Sequence, residues 1–337
     1  MSAPTSQSNP FGTSSSGDTS FRLTTRDIVD EALDICQIGV EEEDIDPETY
    51  NRCVRSLNLF VSHLQSQGIH LWTYQEATLF LEAGKGRYTL EQSHAVNSDK
   101  YTLTNSQATI ASGATVFDIV TTTQTDNANT VTYLDSGWFI GFLKSDNNIF
   151  WTTVDSVDVL EVTLTDAVPE EFTTDTQIIF YEKALSSVER ILDVRRLQGL
   201  IGNGFTNETP VNLVSHEQFM RLPNKNSIGS PNQVTYDRVL SQGVLRVWSV
   251  PFNSFEQLTI TYERMIDNFM NAANCADIPR HYYDALCYGL ADRIGIKFRV
   301  PPQLQQEIKM RATEYMNQAL AFDNANYEIS VSINGGA

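Results

Sequence analysis

Few residues of this 337-residue chain have the types and spacing that catalysis or metal binding requires. No His-Glu-x-x-His motif, no Cys/His cluster and no Gly-x-Ser-x-Gly elbow is present. Ser215 and His216 are sequence neighbours, which by itself is not the geometry of a catalytic triad. The sequence therefore predicts no catalytic residue, no metal ligand and no cofactor. The histidines are His63, His70, His94, His216 and His281.

The four cysteines are expected to be reduced residues of a packed core. They contain no Cys-x-x-Cys pair, and each lies in or beside a helical pattern near one end of the chain. A disulfide framework or a zinc site is therefore not expected. The four are Cys36, Cys53, Cys275 and Cys287.

Two short segments resemble ligand-binding loops without matching them. Gly84-Lys85-Gly86 lacks the spacing and the following helix of a phosphate-binding loop, so it is interpreted as a turn. The acidic segment 41–44 could hold a hard cation, but it lacks the glycine and the spacing of an EF-hand loop. A solvated acidic turn is the favoured interpretation.

The net charge of −19, from 42 acidic and 23 basic residues, argues against tight wrapping of nucleic acid. Two interpretations of the acidity stay open. It could serve solubility, or it could form a wall that repels a polyanion passing along a channel. Acidic side chains also allow a glycosidase-like carboxylate pair, although any acidic protein would meet that criterion.

Helical patterns that could position functional surfaces occur only at the two ends of the chain. Two helices are predicted before Gly68 and two after residue 276, each with one apolar stripe. Since no pair buries its stripe alone, the four helices should pack into one bundle. The expected helix starts are Thr24 or Thr25, Asp46 with Pro47, Asp277, and Pro301 with Pro302.

About 200 residues of strand-like sequence separate the two helical ends. Residues 77–90 predict a hairpin around Gly84, and residues 101–182 predict a small β-sandwich or barrel with Trp138 and Trp151 in its core or rim. Further on, segments 236–240, 243–248 and 258–262 predict strands of one antiparallel sheet.

The expected fold class is α+β: a discontinuous helical bundle, a central antiparallel sheet region and an inserted β domain. The expected domains are an N-terminal tail at 1–20, a bundle with its adjoining hairpin at 21–95 and 269–326, an inserted β domain at 96–182, a mixed β region at 183–268, and a C-terminal tail at 327–337.

Both tails are candidate interaction segments. Residues 1–20 are rich in Ser, Thr, Gly and Pro and are expected to need a neighbouring subunit for order. The segment 327–333 alternates like a strand that adds to the edge of a partner's sheet, with a strand in its own subunit as the alternative. The side chains that share one face of this candidate site are Tyr327, Ile329, Val331 and Ile333.

The order of several motifs resembles the head-to-tail adaptor family of short-tailed bacteriophages, which includes tail tubular protein A and the packaged-DNA stabilisation proteins. The resemblance covers roughly residues 22–325, and the β segment 96–182 is absent from the shorter members. The matching stretches are Ala32-Leu-Asp-Ile-Cys-Gln-Ile-Gly39, Leu64-Gln-Ser-Gln-Gly68, Leu71-Trp72-Thr-Tyr74, Ile191-Leu-Asp-Val-Arg-Arg196, Leu245-Arg-Val-Trp-Ser249, Pro279-Arg-His-Tyr-Tyr283 and Ala285-Leu-Cys-Tyr-Gly-Leu-Ala291.

The resemblance implies a virion protein that is assembled in the host cytoplasm. About twelve copies would form a ring beneath the portal protein. The ring would surround passing DNA without binding it specifically, and would receive the tail nozzle and, in some relatives, tail fibres. The C-terminal tail would contact the portal or a neighbouring subunit.

Two other functions stay open at this point: a tail-associated peptidoglycan hydrolase, and a carbohydrate- or receptor-binding tail module built on residues 101–182. No window is apolar enough to span a bilayer, and the first 20 residues do not resemble a signal peptide. A cytosol-like compartment before assembly, and no membrane partner, are therefore expected.

Overall fold

The computed structural model describes residues 21–38, 46–67, 69, 74–127, 129–185, 188–198, 207–239, 242–254 and 256–325. The chain forms two compact units. The helical unit combines Met1–Trp72 with Ile266–Ala337, and the β unit is Thr73–Met265. Among the described helices, none has the length and apolar character needed to cross a membrane.

Four helices of the helical unit come from the two chain ends, as predicted. The unit contains α1 (Thr25–Ile35), α2 (Pro47–Ser66), α4 (Tyr283–Lys297) and α5 (Pro302–Ala325), whereas the short α3 (His216–Met220) lies in the β unit.

Three of the four predicted helix starts are confirmed. The Thr24 hydroxyl accepts a hydrogen bond from the Asp27 amide, and the Asp27 carboxylate accepts one from the Thr24 amide, which forms a capping box. The Thr24 hydroxyl also donates to the Asp27 carboxylate at 2.7 Å, and this bond, together with the one from the Thr24 amide, holds the pKa of Asp27 below its usual value. The prediction that Asp277 caps the third helix is wrong, because a 3-10 turn, Arg280–Tyr282, precedes α4.

Helix α4 is central to the helical unit and packs against α1, α2 and α5. Nine of its 15 residues are buried, including Leu286, Leu290 and Ile294. They share one core with Ile28 of α1 and Leu57 of α2. The predicted α+β fold, in which distant chain ends close one helical bundle, is thereby confirmed.

Polar bonds reinforce this closure across more than 200 positions of sequence. The Thr25 amide donates to the Asn274 carbonyl at 2.8 Å. The Asn58 side-chain amide donates to the Phe269 carbonyl at 3.0 Å and accepts from the Phe269 amide at 2.9 Å. Because both bonding groups of the Phe269 backbone are satisfied by one side chain, the segment before α4 is fixed against α2.

The described residues of the β unit form 17 strands. Their bounds are β1 (Tyr74–Phe80), β2 (Arg87–Thr89), β3 (Ala95–Asn97), β4 (Tyr101–Asn105), β5 (Val116–Asp118), β6 (Thr123–Thr125), β7 (Val131–Tyr133), β8 (Phe139–Leu143), β9 (Ile149–Asp158), β10 (Glu161–Leu164), β11 (Gln177–Tyr181), β12 (Val188–Gln198), β13 (Asn207–Pro210), β14 (Asn212–Leu213), β15 (Gln233–Val239), β16 (Gln242–Trp248) and β17 (Glu256–Arg264).

Two sheets share one core outside the insertion. The order of the five-stranded sheet is β13-β12-β17-β1-β3, and that of the four-stranded sheet is β14-β15-β16-β2. Leu79 and Ile260 of the first sheet lie in the same buried cluster as Val234 and Leu245 of the second. The strands that precede the insertion and those that follow it therefore pack around one hydrophobic core.

Two sequence predictions are wrong here. The predicted hairpin over 77–90 does not form, because β1 pairs with β17 and β3 while β2 pairs with β16. The segment 258–262 does not join the sheet of β15 and β16, since β17 lies between β12 and β1. In both cases alternation located the strand but did not identify its partner.

The inserted segment forms a six-stranded sheet, β4-β11-β8-β9-β10-β5, and a two-stranded ribbon, β6-β7. Its core contains Phe142, Phe172, Phe180 and Trp138, so Trp138 is a core residue as predicted. An aromatic junction, defined by Phe80, His94, Trp151 and Tyr181, joins the insertion to β1 and β3.

In the aromatic junction, His94 stacks on Trp151 with ring centroids 3.9 Å apart, and its Nδ1 lies 2.7 Å from the Tyr181 hydroxyl oxygen. Burial, with a smaller contribution from Lys85, lowers the pKa of His94 from 6.5 to about 4. The folded β unit therefore holds this imidazole neutral at pH 7.

Replacing Leu290 by alanine should lower the free energy of unfolding of the helical unit by about 2–5 kcal/mol, because it leaves a cavity among helices from both chain ends. Chemical denaturation followed by circular dichroism would measure this loss. Ile296→Ala on the same helix is the control, since Ile296 is 74% exposed and should cost less than about 0.5 kcal/mol. Equal effects of the two variants would contradict the central position of α4.

The stability of the β unit should fall as the pH drops from 6.5 to about 4, because the unfolded chain takes up a proton on His94 before the folded chain does. The contribution of this group is at most about 3 kcal/mol. Denaturation of wild type and His94→Gln at several pH values would measure it as the difference between the two curves. His63→Gln, at an exposed position, should leave the wild-type slope unchanged.

Candidate functional site

The predicted tail site, Tyr327, Ile329, Val331 and Ile333, lies outside the described residues, as do residues 1–20 and the acidic segment 41–44. The described element that leads to the C-terminal tail is α5. The candidate functional site is therefore built from α5 and the residues that hold it.

Helix α5 buries a narrow stripe and leaves its other side exposed. Ile308 and Ala319 are 1% and 2% exposed, and Leu304 and Met316 pack beside them on the helical core. Near the start of α5, the Gln305 side-chain amide donates to the Asp292 carboxylate at 2.7 Å, which ties α5 to α4. The stripe and this bond fix which side of α5 faces outward.

The exposed side of α5 is a long surface of mixed polarity. Met310 is 65% exposed. Side chains with helical spacing continue the surface along the helix on both sides of Met310. Together with Met310 they are Gln306, Lys309, Thr313, Glu314, Asn317, Gln318 and Ala321, and the whole set is termed the α5 face. Its length and mixture of apolar and polar groups are typical of an interface rim rather than of a catalytic pocket.

An anchor of three polar residues holds the end of α5 on the 3-10 turn that precedes α4. The Asp323 carboxylate lies 3.0 Å from His281 Nε2 and accepts a hydrogen bond from the Tyr282 hydroxyl at 2.5 Å. Burial and this bond raise the pKa of the Tyr282 hydroxyl above its ordinary value. The anchor fixes the last described turns of α5 against this 3-10 turn.

The sequence interpretation missed this anchor. In the sequence, Pro279-Arg-His-Tyr-Tyr283 indicates only a family resemblance. Asp323 lies 42 positions after His281 and 41 positions after Tyr282. Only the packing of α5 along α4 brings the carboxylate to the two rings.

The acidity of the chain is concentrated in the insertion. Residues 96–182 contain 13 acidic side chains and two lysines, and both lysines already pair, Lys100 with Asp126 and Lys144 with Asp146. Across three strands, Glu161 stands directly opposite both Asp118 and Asp158. Because like charges in register repel, this face of the insertion disfavours contact with a polyanion.

The described histidines remain apart from one another. His63 contacts Gln67, His94 lies in the aromatic junction, His216 contacts Asp237, and His281 belongs to the α5 anchor. Ser215 caps α3 through its hydroxyl instead of meeting His216 as a nucleophile would. Within the described ranges, no group of three His, Cys, Asp or Glu side chains could hold a metal ion.

All four cysteines are free thiols, and three of the four are buried as predicted. Cys36, Cys53 and Cys287 lie in the helical core, where burial raises the pKa of the Cys36 thiol to about 11 and that of Cys287 to about 12. Cys275 is exposed, which corrects the prediction. The backbone of Cys275 forms an isolated antiparallel β-bridge with that of Thr24.

Comparisons with known proteins do not identify a family. No family model matches the chain, and no curated protein matches it either. A structural comparison finds VP17, a capsid protein of bacteriophage P23-77, with 10% sequence identity and a TM-score of 0.12, covering 60% of this chain and 75% of that chain. A likeness of this size supports no conclusion about fold or function.

Replacing Asp323 by asparagine should lower the local stability of the end of α5 by about 1–3 kcal/mol, because a charged acceptor of two hydrogen bonds is lost. Hydrogen exchange of the α5 amides would detect faster exchange near residue 323. Glu314→Gln on the exposed side of α5 is the matched control and should leave these rates unchanged. Unchanged exchange in Asp323→Asn would show that the anchor does not hold the helix.

Proposed function

We propose that this chain is a structural protein of a bacteriophage virion, and more specifically a head-to-tail adaptor whose copies form a ring between the portal protein and the tail nozzle. The observation that carries the proposal is the closed bundle of α1, α2, α4 and α5, made from the two chain ends. This is the arrangement that the family resemblance implies.

The α5 face supplies the proposed contact with other subunits. The core-facing stripe of α5 is buried on the helical core, while Met310 is 65% exposed among polar side chains. Methionine is enriched in protein–protein interfaces, and the rim of such interfaces is polar. In a closed ring such a face meets a different surface of the next copy, which makes the contact heterologous.

The anchor at Asp323 suits the proposed role of the C-terminal tail. It fixes the last described turns of α5 against the 3-10 turn that precedes α4. A fixed end of α5 would raise the effective concentration of the segment 327–333 at a binding site on the portal or on a neighbouring copy.

The insertion is the proposed docking site for nozzle or fibre components. Its unneutralised carboxylates would also discourage adhesion of DNA that passes nearby, which corresponds to the polyanion-repelling interpretation of the acidity.

The adaptor proposal predicts that the purified chain is a monomer or a loose oligomer and becomes a ring when it meets the portal protein of the same virus. Mass photometry of each component and of their mixture would measure this change. Failure of the mixture to form any complex over a range of salt and protein concentrations would contradict the proposal.

A pair of substitutions tests the role of the α5 face in the same assay. Met310→Asp should weaken ring formation by roughly tenfold or more, because it places a charge in a desolvated contact. Met270→Asp is the control, since Met270 is 78% exposed and lies outside α5. Equal ring formation by both variants would exclude the α5 face from the subunit contact.

A further inference from the structure

The β unit contains a basic pocket, in contrast to the acidity of the whole chain. The pocket has a volume of about 440 Å³ and lies beside the turn before β2, the strand β16 and the segment after α3. Its charged lining consists of Arg87, Lys225 and Arg246, and no carboxylate is among the described residues that line it. The charged groups of the described lining are therefore all cationic.

Arg87 and Arg246 form a cross-strand pair of like charge. Arg87 on β2 stands directly opposite Arg246 on β16 in the antiparallel register, so both side chains lie on the same face of the sheet. Like charges in this relation destabilise a strand pair. A bound anion would offset this repulsion, because it attracts both guanidinium groups.

The hydrogen bonds that the three cations make within the protein leave some of their N–H groups available to a ligand. Arg246 donates through Nε to Asp237 Oδ2 at 3.0 Å, and Lys225 Nζ donates to the Met220 carbonyl at 2.9 Å. Within the part of the chain that the structure describes, the exposed Arg87 has neither an ion pair nor a side-chain hydrogen bond. Among the described residues, Asp237 is the one carboxylate bonded to the arginine pair, and it also contacts His216.

The Gly84-Lys85-Gly86 segment shapes the pocket, although its lysine does not line it. Lys85 pairs with Glu82 at 2.5 Å, and Gly84 takes a φ of +75°, so the segment is a turn as the sequence predicted. A Cβ on Gly86 would lie 3.0 Å from the Val250 side chain, which shows how closely the turn approaches the far wall. The basic side chain that this turn delivers to the pocket is Arg87.

We infer that this pocket binds a phosphate group. A phosphate presents three or more acceptor oxygens and can engage cations that converge from three separate elements, whereas a carboxylate presents two and is satisfied by one guanidinium fork. The volume exceeds that of a free phosphate ion, and the buried Phe219 and exposed Ile228 add apolar lining. The ligand is therefore a phosphate carried on a larger group, of a nucleotide or of a nucleic-acid backbone.

Isothermal titration of the full-length chain with inorganic phosphate tests the inference, and it does not depend on ring assembly or on the adaptor proposal. Saturable binding is expected. Arg87→Gln should weaken it by roughly tenfold, because an otherwise unpaired guanidinium is removed. Arg221→Gln is the matched control, since Arg221 is 74% exposed, belongs to the neighbouring end of α3 and does not line the pocket. Thermal melting of both variants verifies that they fold, and Lys225→Gln replaces Arg87→Gln if the latter does not.

Two further titrations assign the source of the phosphate and its chemical class. If a short oligothymidylate competes with phosphate for wild type but not for Arg87→Gln, the site takes a nucleic-acid backbone; if thymidine monophosphate alone competes, it takes a nucleotide. Absence of saturable phosphate binding, or equal affinities of Arg87→Gln and Arg221→Gln, would overturn the inference. Displacement of phosphate by an equal concentration of acetate would also overturn it, because it would make the site a carboxylate site.

Discussion

Burial of α4 against α1, α2 and α5 is the interaction on which the helical unit and its surfaces depend. The helices on either side of α4 come from opposite ends of the chain, and each has only one apolar stripe to contribute. An isolated pair of such helices would leave its stripe in water, where short helices are marginal. The core therefore exists only when both ends meet.

The closure also constrains the surfaces of the helical unit. Since α4 is buried on several sides, α5 covers it with one stripe and keeps its other side free. The carboxylate of Asp323 then fixes the last described turns of α5 against the 3-10 turn that precedes α4. Thus the proposed contact face and the fixed end of α5 both follow from the packing of one central helix.

In the β unit, the aromatic junction has a corresponding structural role. The ring of His94, in the turn before β3, and the hydroxyl of Tyr181 on β11 link the chain before the insertion to the insertion's sheet. The linkage is buried, so the imidazole must stay neutral, which makes this join sensitive to acid in a way that a purely apolar join would not be. The strongly acidic sheet is thereby attached to a scaffold that carries most of the basic residues of the unit.

Sequence patterns predicted the local elements well because those elements depend on local spacing. The cap at Thr24, the start at Asp46 with Pro47 and the start at Pro302 are local signals, and all three are observed. The alternation of apolar and polar residues predicted the positions of strands in the same way. The joining of the two chain ends was predictable because neither terminal pair of helices can bury its apolar stripe alone. The α+β class followed from these helices and from the strand-like sequence between them.

Properties that depend on pairing between distant segments were not predictable. The hairpin over 77–90 was wrong because β1 and β2 each find a better partner more than 150 positions away. The extent of burial of α4 was underestimated because Ala285, Gly289 and Ala291 give no apolar signal, although Gly289 faces the Phe60 ring so closely that a Cβ would lie 2.2 Å from it. The arginine pair of the pocket and the anchor at Asp323 likewise required register and packing.

The split origin of the helical unit has a consequence for synthesis on the ribosome. At about 5–20 residues per second, roughly 10–40 s pass between the emergence of α2 and that of α4. During this interval α1 and α2 have no α4 to cover their apolar side chains, while the β unit emerges complete and can fold first. A folded β unit shortens the distance between its two neighbouring segments and so lowers the entropic cost of their meeting. Until then the nascent chain offers a natural substrate for a holding chaperone, and translation pauses before residue 283 would prolong that exposure.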